Sequence, residues 1–311
     1  MLIELKKGDC SLTVDTMGAE IRSLKKKGKE FFWQREKNPD GSKIWGSTAP
    51  NLFPMVGPSR ILEKGIVKEA GAYKLAGAKY LINQHGFIRD TDAEIVRQTP
   101  DSLRLIIQSS SETLERYPFD FNYFIDYALT DKGLVNKTVT VFNTGDKDMP
   151  FNIGDHEGFA LEDDIEKYYL RFDRLEDDKT ERHGKQIIQK SKDGKRSIIP
   201  FNKEMFLENI EAQKEKALQF SNIKSKYATI VKKGEKGKKD EEIVTMKLDA
   251  PKFLLWSKPP FKFVCPEPWH GTPLVSTEEK DAEFSLSLKP GEKFVLEREI
   301  FAHAPQKERE F

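Results

Sequence analysis

The stretch Phe261-Lys-Phe-Val-Cys-Pro-Glu-Pro-Trp269 has two halves of different character. The first half alternates aromatic or apolar residues with others, as a half-buried β-strand does. Pro266 and Pro268 follow, and because proline cannot donate to a β-ladder, we expect the strand to end there. Glu267 lies between the two prolines, which restrict its backbone. The sequence therefore predicts a carboxylate on a conformationally restricted backbone at a strand end, beside the indole of Trp269.

Short strand signals fill the rest of the chain. Phe121–Leu129 and residues 134–142 alternate on either side of a turn and predict a hairpin. Residues 283–288 and 293–301 predict a second hairpin that closes the fold. Hardly any run has a helical period, and no linker or repeat interrupts the chain. We expect an all-β protein, one large antiparallel β-sandwich, with residues 1–311 forming a single domain.

The composition excludes several classes of protein. The chain has 311 residues, with 52 Lys and Arg against 51 Asp and Glu, so there is no excess charge to attract nucleic acid or an anionic membrane. Cys10 and Cys265 are too few for a disulfide framework. The N-terminus has no signal-peptide core, and no apolar run approaches the roughly 20 residues of a membrane span. We expect a cytoplasmic location and no nucleic-acid or membrane partner. A histidine in a charged stretch, His183, is expected to have no role in the site.

Three ionisable residues share one local pattern, since each is close to glycine or proline and to an aromatic residue: His85, His156 and Glu267. Imidazole and carboxylate groups can pass protons, and an aromatic face can stack on the C–H face of a sugar. The apolar segment from Trp45 to Gly57 is broken by prolines and glycines, which predicts an irregular segment packed inside the protein near the site. The plainer alternative is a solvated glutamate with structural histidines. Zinc is another, but no two histidines have short ligand spacing, so we expect no metal.

Five motifs together resemble those of the aldose 1-epimerase (galactose mutarotase) family, and most closely its LacX-like branch. They occur in the family's order and cover essentially the whole chain: Ala49-Pro-Asn-Leu-Phe-Pro-Met-Val-Gly57 after Trp45, His85-Gly-Phe-Ile-Arg89, Tyr117-Pro-Phe119, Gly154-Asp-His-Glu-Gly-Phe159 and Cys265-Pro-Glu-Pro-Trp269. The resemblance implies an antiparallel β-supersandwich. It also implies an isomerase that interconverts the α and β anomers of an aldose without a cofactor.

The resemblance also implies roles for individual residues. Glu267 matches the general base, His156 the general acid and His85 a substrate-contacting histidine. The family's sugar-binding arginine has two candidates here, Arg60 and Arg89. The substrate is then a sugar, free or phosphorylated, because an arginine can clamp a phosphate or a hydroxyl. We expect Trp269 to form part of the wall on which the sugar stacks.

One motif departs from the family, because Asp155 and Glu157 flank His156 where relatives usually carry Gly-His-Pro. Neighbouring carboxylates are expected to favour the imidazolium form of His156. Two other functions stay open. A non-catalytic sugar-binding protein could use the same fold. A glycoside hydrolase could pair Glu267 with one of the two flanking carboxylates.

Overall fold

The computed structural model describes residues 1–177, 181–182, 185–211, 217–235 and 238–304, so His183 lies outside the described residues. Strands make up about 51% of the structure and helices 6%, which confirms the all-β prediction. The strands of the first half are β1 (Leu2–Lys7), β2 (Cys10–Asp15), β3 (Glu20–Lys26), β4 (Lys29–Glu30), β5 (Asn51–Leu52), β6 (Ser59–Glu63), β7 (Ile66–Ala70), β8 (Ala72–Leu75), β9 (Ala78–Leu81), β10 (Glu94–Gln98), β11 (Ser102–Gln108), β12 (Phe121–Leu129), β13 (Leu134–Asn143), β14 (Met149–Phe151), β15 (Ile153–Asp155) and β16 (Phe159–Ala160).

The second half continues with β17 (Tyr168–Phe172), β18 (Glu181–Arg182), β19 (Lys185–Gln186), β20 (Gln189–Lys190), β21 (Ser197–Pro200), β22 (Leu218–Ser221), β23 (Tyr227–Lys232), β24 (Glu241–Lys247), β25 (Lys252–Trp256), β26 (Phe263–His270), β27 (Leu274–Thr277), β28 (Leu286–Leu288) and β29 (Lys293–Ala302). The helical elements are α1 (Ser111–Arg116), α2 (Lys203–Glu211) and the 3-10 helices Ile88–Asp90 and Ile165–Lys167. None of the helices in the described part of the chain is long and apolar enough to cross a membrane.

A ten-stranded antiparallel sheet carries most of the chain, in the order β10-β11-β12-β13-β29-β24-β23-β17-β21-β20. The predicted hairpin of β12 and β13 is confirmed, with Ile125 opposite Val139. Alternate residues of both strands are buried, because one face of the sheet packs against the core.

A six-stranded sheet faces the large sheet across this core, in the order β22-β25-β26-β15-β5 with β16 also paired to β26. Phe253 of β25 packs edge-on against Phe172 of β17, with ring centroids 5.9 Å apart. The N-terminal sheet β1-β2-β3-β4 lies beside them, and the Tyr127 hydroxyl of β12 donates to the Ala19 carbonyl at 2.7 Å. The predicted antiparallel sandwich is therefore confirmed.

The prediction that the strand ends at Pro266 is wrong, because β26 continues through both prolines to His270. Its unbroken pairing with β25 requires N–H donors at alternate residues, which must be the odd-numbered ones. Pro266 and Pro268 therefore face the other edge of β26. That edge pairs with β16 and β15 only at its two ends, so no described strand requires an N–H donor from either proline.

The predicted closing hairpin is also wrong. The turn forms, since the Glu292 N–H donates to the Lys289 carbonyl at 3.0 Å, but the strands on either side diverge. β28 pairs with β14, whereas β29 inserts into the large sheet between β13 and β24. The Asn143 amide at the end of β13 donates to the Leu288 carbonyl at 2.8 Å. This bond joins the end of β28 to β13, at the point where the chain passes from one sheet to the other.

The irregular segment from Trp45 to Gly57 is held by the loop that carries His85. The Phe53 carbonyl accepts from the Phe87 N–H at 3.1 Å, and Phe53 forms a bridge with Gly86. A Cβ at Gly86 would lie 2.1 Å from the Phe53 oxygen, and Gly86 has φ +78°. Both facts require glycine here.

We predict that Gly86→Ala destabilises the protein more than Gly65→Ala does. Both glycines have left-handed backbone, but a Cβ at Gly65 meets nothing within 4 Å. The strain common to both is about 1–2 kcal/mol, and the forced displacement of Phe53 should add about 1–3 kcal/mol in Gly86→Ala alone. Urea unfolding of the two variants measures the difference. Equal free energies of unfolding would contradict the close packing of the two loops.

Candidate functional site

The strand pairing brings His156 and Glu267 together. β15 and β16 pair with the two ends of β26 in one common register. By that register His156 lies opposite Glu267, at the centre of the gap left open by the prolines. The side chains of directly opposite residues share a face of the sheet, and His156 Nε2 lies 3.5 Å from Glu267 Oε1. Both are buried, His156 being 7% and Glu267 2% exposed.

Two glycines make room for aromatic side chains on this face. Gly154 and Gly158 lie two residues before and after His156, so a side chain on either would point the same way. A Cβ at Gly154 would be 2.7 Å from Trp269 Cδ1, and one at Gly158 would be 2.4 Å from Trp45 Cζ3. The glycines therefore allow both indoles to lie against the strand.

Aromatic rings enclose His156. Trp45 stacks on the imidazole, with ring centroids 4.9 Å apart and an interplanar angle of 27°. Trp256 meets it edge-on at 5.5 Å. Trp45 begins the segment that was expected to lie near the site, and this expectation is confirmed. Trp269 lies beside the histidines, 5.7 Å from the His85 ring. Its buried indole N–H has no partner at hydrogen-bonding geometry among the described residues.

His85 is the second histidine of the site, with its ring edge-on to His156 at 5.5 Å. It has φ +71°, a left-handed conformation that a non-glycine residue adopts at some cost. Its Nδ1 accepts from the Gly57 N–H at 3.0 Å. Because a backbone N–H can only donate, the neutral ring carries its proton on Nε2. Nε2 lies 3.1 Å from the side-chain nitrogen of Gln84, so the Gln84 amide must be turned over to present its oxygen to the Nε2–H.

Of the two candidate arginines, the structure brings Arg89 to the site. Arg89 follows the His85 loop, is partly exposed and donates to the Ser47 hydroxyl at 3.0 Å. It is also the arginine whose charge lowers the pKa of both His85 and His156. Arg60 lies on β6, opposite Val275 of β27, and its charge does not act on the pKa of either histidine.

Burial sets the protonation of the three ionisable groups. Burial, and after it the charge of Arg89, lower the pKa of His156 to about 3. Burial together with His156 and Arg89 holds the pKa of His85 well below its usual value. Burial and then the charge of Glu157 raise the pKa of Glu267 well above its usual range, and the nearby Trp269 indole opposes this only in part. Both shifts favour the uncharged forms, that is, a neutral imidazole on His156 beside a protonated carboxyl on Glu267.

The expectation that Asp155 and Glu157 favour imidazolium is wrong. Strand alternation turns both side chains away from His156, toward the large sheet. There Lys137 Nζ donates to Asp155 Oδ1 at 2.5 Å and to Glu157 Oε1 at 3.1 Å. Arg298 Nε donates to Asp155 Oδ2 at 2.7 Å. The two carboxylates are neutralised by cations across the core rather than by His156.

Lys137 and Arg298 were missed by the sequence reading, although the sequence carries a signal for them. Lys137 is in the same alternation phase as the buried Val135 and Val139 of β13. Arg298 lies in the buried phase of β29 in the same way, directly opposite Lys137. A cation at an apolar phase position of a strand predicts a buried partner, because an unpaired charge is not tolerated there.

Comparison with known proteins gives the family. A model of the family "Aldose 1-epimerase" matches residues 1–297. The chain is 27% identical over 287 residues to the protein LacX, chromosomal, of Lactococcus lactis subsp. lactis, covering 87% of this chain and 88% of that protein.

Two solved structures are similar over nearly the full length. A galactose mutarotase related enzyme from Lactobacillus acidophilus superposes with a TM-score of 0.74 and 26% identity, covering 100% of both chains. A galactose mutarotase-like protein from Lactobacillus casei gives a TM-score of 0.76 at 24% identity, covering 97% of this chain and 100% of that one, and shares the fold. The chain belongs to the aldose 1-epimerase family, in its LacX-like branch.

Proposed function

We propose that the protein is an aldose 1-epimerase that interconverts the α and β anomers of an aldose, with Glu267 and His156 as its acid–base pair. The observation that carries the proposal is the enclosed contact of 3.5 Å between His156 Nε2, in the link between β15 and β16, and Glu267 Oε1 on β26. Family membership supports the reaction class.

The chemistry of mutarotation requires one base and one acid. The base takes the proton of the anomeric hydroxyl while the acid protonates the ring oxygen, and the bond between C1 and the ring oxygen breaks. Rotation about C1–C2 and closure on the other face of the aldehyde give the other anomer. Glu267 is the proposed base and His156 the proposed acid. The reaction uses no cofactor or metal.

The pair provides one acid and one base as long as it holds one proton. Burial disfavours the charged form of both groups, which favours the proton on Glu267 in the substrate-free protein. Its transfer to His156 gives the carboxylate base and the imidazolium acid without uptake of a proton from water. The neutral pair and the ion pair each carry one proton in total, so the two groups titrate as a unit.

The surrounding residues support sugar binding. Arg89 offers donors to hydroxyl groups, and Trp269 offers a ring face and an N–H without a partner at hydrogen-bonding geometry among the described residues. His85 lies beside both His156 and Trp269. Arg60 is not part of the proposal. The same proposal takes residues 1–311 as one domain in the cytoplasm that acts on a free or phosphorylated sugar, without nucleic-acid or membrane partners.

The two alternatives differ in their support. A glycoside hydrolase needs a second carboxylate facing the sugar, whereas Asp155 and Glu157 are bound to Lys137 on the core side. A non-catalytic sugar-binding protein would retain Arg89 and the aromatic rings. It would have no use for a buried acid–base contact.

We predict that Glu267→Gln and His156→Asn each lower the rate of anomer exchange by about 10²-fold or more, because each removes one proton-transfer group. Exchange between α and β anomers is measured by magnetisation-transfer NMR at equal protein concentration. The double variant should lose less than the product of the two, since the groups act as a unit. Glu162→Gln, at an exposed carboxylate, is the control and should retain full activity. A folded, fully active Glu267→Gln would refute the proposal.

We also predict the pH dependence of kcat/KM. The one-proton form gains a second proton only near the pKa of His156, about 3, and loses its proton at the raised pKa of Glu267. The profile should therefore be flat from about pH 4 upward and fall only where Glu267 ionises, at its raised pKa. It is measured by polarimetry, corrected for the spontaneous rate at each pH. An acid limb near the ordinary pKa of glutamate, about 4.3, would contradict the shared proton.

A further inference from the structure

We propose that Glu157 is a positioning residue that keeps the pair His156–Glu267 loaded with its one proton at neutral pH, because its buried carboxylate acts on Glu267 from the core side of the strand. The inference rests on the proposed acid–base function. It assigns a role to a residue that touches neither the pair's open face nor a sugar bound there.

The first step is to identify which group of the His156–Glu267 pair carries the proton. His156 is enclosed by Trp45 and Trp256, and its contact with Glu267 Oε1, at 3.5 Å, is long for a hydrogen bond. With its pKa lowered to about 3, the imidazole does not hold a proton at neutral pH. Glu267 must hold the proton instead. An ordinary glutamate loses its proton near pH 4.3. Glu267 therefore needs surroundings that oppose its ionisation.

The second step is the geometry of Glu157. It follows His156 directly and, by the register of β15, β16 and β26, lies opposite Pro266, next to Glu267. It is 1% exposed. Lys137 Nζ holds Oε1 at 3.1 Å, and Oε2 has no hydrogen-bond partner among the described residues. Glu157 is thus a fixed carboxylate with one unpaired oxygen, one register position from Glu267 and on the opposite face of the sheet.

The third step separates Glu157 from Asp155. Both oxygens of Asp155 accept charge-assisted bonds, from Lys137 and Arg298, and its pKa is lowered. Glu157 has one such bond, and burial raises its pKa. The charge of Glu157 raises the pKa of Glu267, whereas that of Asp155 does not act on it. The charge of Glu157 opposes ionisation of Glu267, while Lys137 favours the ionised form of Glu157.

The groups around the two carboxylates come from several elements. Glu267 is faced by His156, Glu157, the Cys265 thiol and the Trp269 indole. Glu157 is faced by Lys137 of β13, Asp155 of β15, Arg298 of β29 and the phenols Tyr123 and Tyr127 of β12. Lys137 and Arg298 balance Asp155 and Glu157 in charge. Replacing Glu157 by a neutral residue therefore removes the negative charge of the cluster that opposes ionisation of Glu267.

The test is Glu157→Gln, which retains the shape and an acceptor for Lys137. The alkaline limb of kcat/KM should move to lower pH by about one unit or more, with KM at pH 6 unchanged. Asp155→Asn is the matched control, because it changes the charge of the same cluster by the same amount. Its alkaline limb should stay at the wild-type position although it also loses stability. Equal shifts in the two variants, or no shift in Glu157→Gln, would overturn the proposal.

A second readout does not depend on activity. The ¹³C shift of the Glu267 carboxyl is assigned by its loss in Glu267→Gln. It should report a protonated group at pH 6 in the wild type. In Glu157→Gln the same carboxyl should ionise at a lower pH than in the wild type. An ionised Glu267 at pH 6 in the wild type would overturn the proposal without any variant. If the carboxyl shifts as expected but the wild type exchanges no anomers, the proton-holding role stands and the proposed function fails.

A charge-neutral variant covers the case in which Glu157→Gln does not fold. Lys137→Met combined with Glu157→Gln removes one charge of each sign and leaves the ion pair of Asp155 and Arg298 intact. Replacing a buried ion pair by neutral groups is often tolerated. This double variant should show the same downward shift of the Glu267 titration. A wild-type titration in the folded double variant would show that Glu157 has no influence on the proton.

Discussion

The ion pairs of Asp155 with Lys137 and Arg298 determine where His156 lies. The two cations are opposite one another on β13 and β29 of the large sheet, and Asp155 is on β15 of the facing sheet. Breaking one partner of such a buried pair costs about 3–5 kcal/mol, because the remaining charge is left without a partner. The chain thus cannot slide along the large sheet at this point. His156, the next residue, is fixed on the opposite face.

The pairing of β26 explains how the sheet can leave a gap between strands at the candidate site while β26 itself stays intact. β26 is held on one edge by β25 along its whole central length and on the other edge only at its ends. Pro266 and Pro268 occupy the unpaired stretch at no cost in hydrogen bonds. Glu267 between them can then face His156 rather than a strand.

Much of the fold and of the candidate site could be predicted from the alternation of apolar residues and from the positions of glycine and proline. The hairpin of β12 and β13 and the sandwich class follow from period-two burial, and glycines and prolines mark His85, His156 and Glu267 as the residues that meet in the structure. The strand through Pro266 was missed because a sequence does not show which edge of a strand lacks a partner. The expectation that Asp155 and Glu157 favour a charged His156 failed because the side chains of adjacent residues in an extended chain point to opposite faces. The cations that neutralise Asp155 come from distant strands.

The central claim is that an enclosed pair holding one proton catalyses anomer exchange, and one experiment on the wild-type protein tests it most directly. Sugar binding is followed by tryptophan fluorescence and anomer exchange by magnetisation-transfer NMR in the same samples, across a panel of free and phosphorylated aldoses. The account predicts that every sugar that perturbs the fluorescence at saturating concentration also exchanges its anomers faster than the spontaneous rate. A sugar that binds at this site while its anomers exchange only at the spontaneous rate would contradict the account.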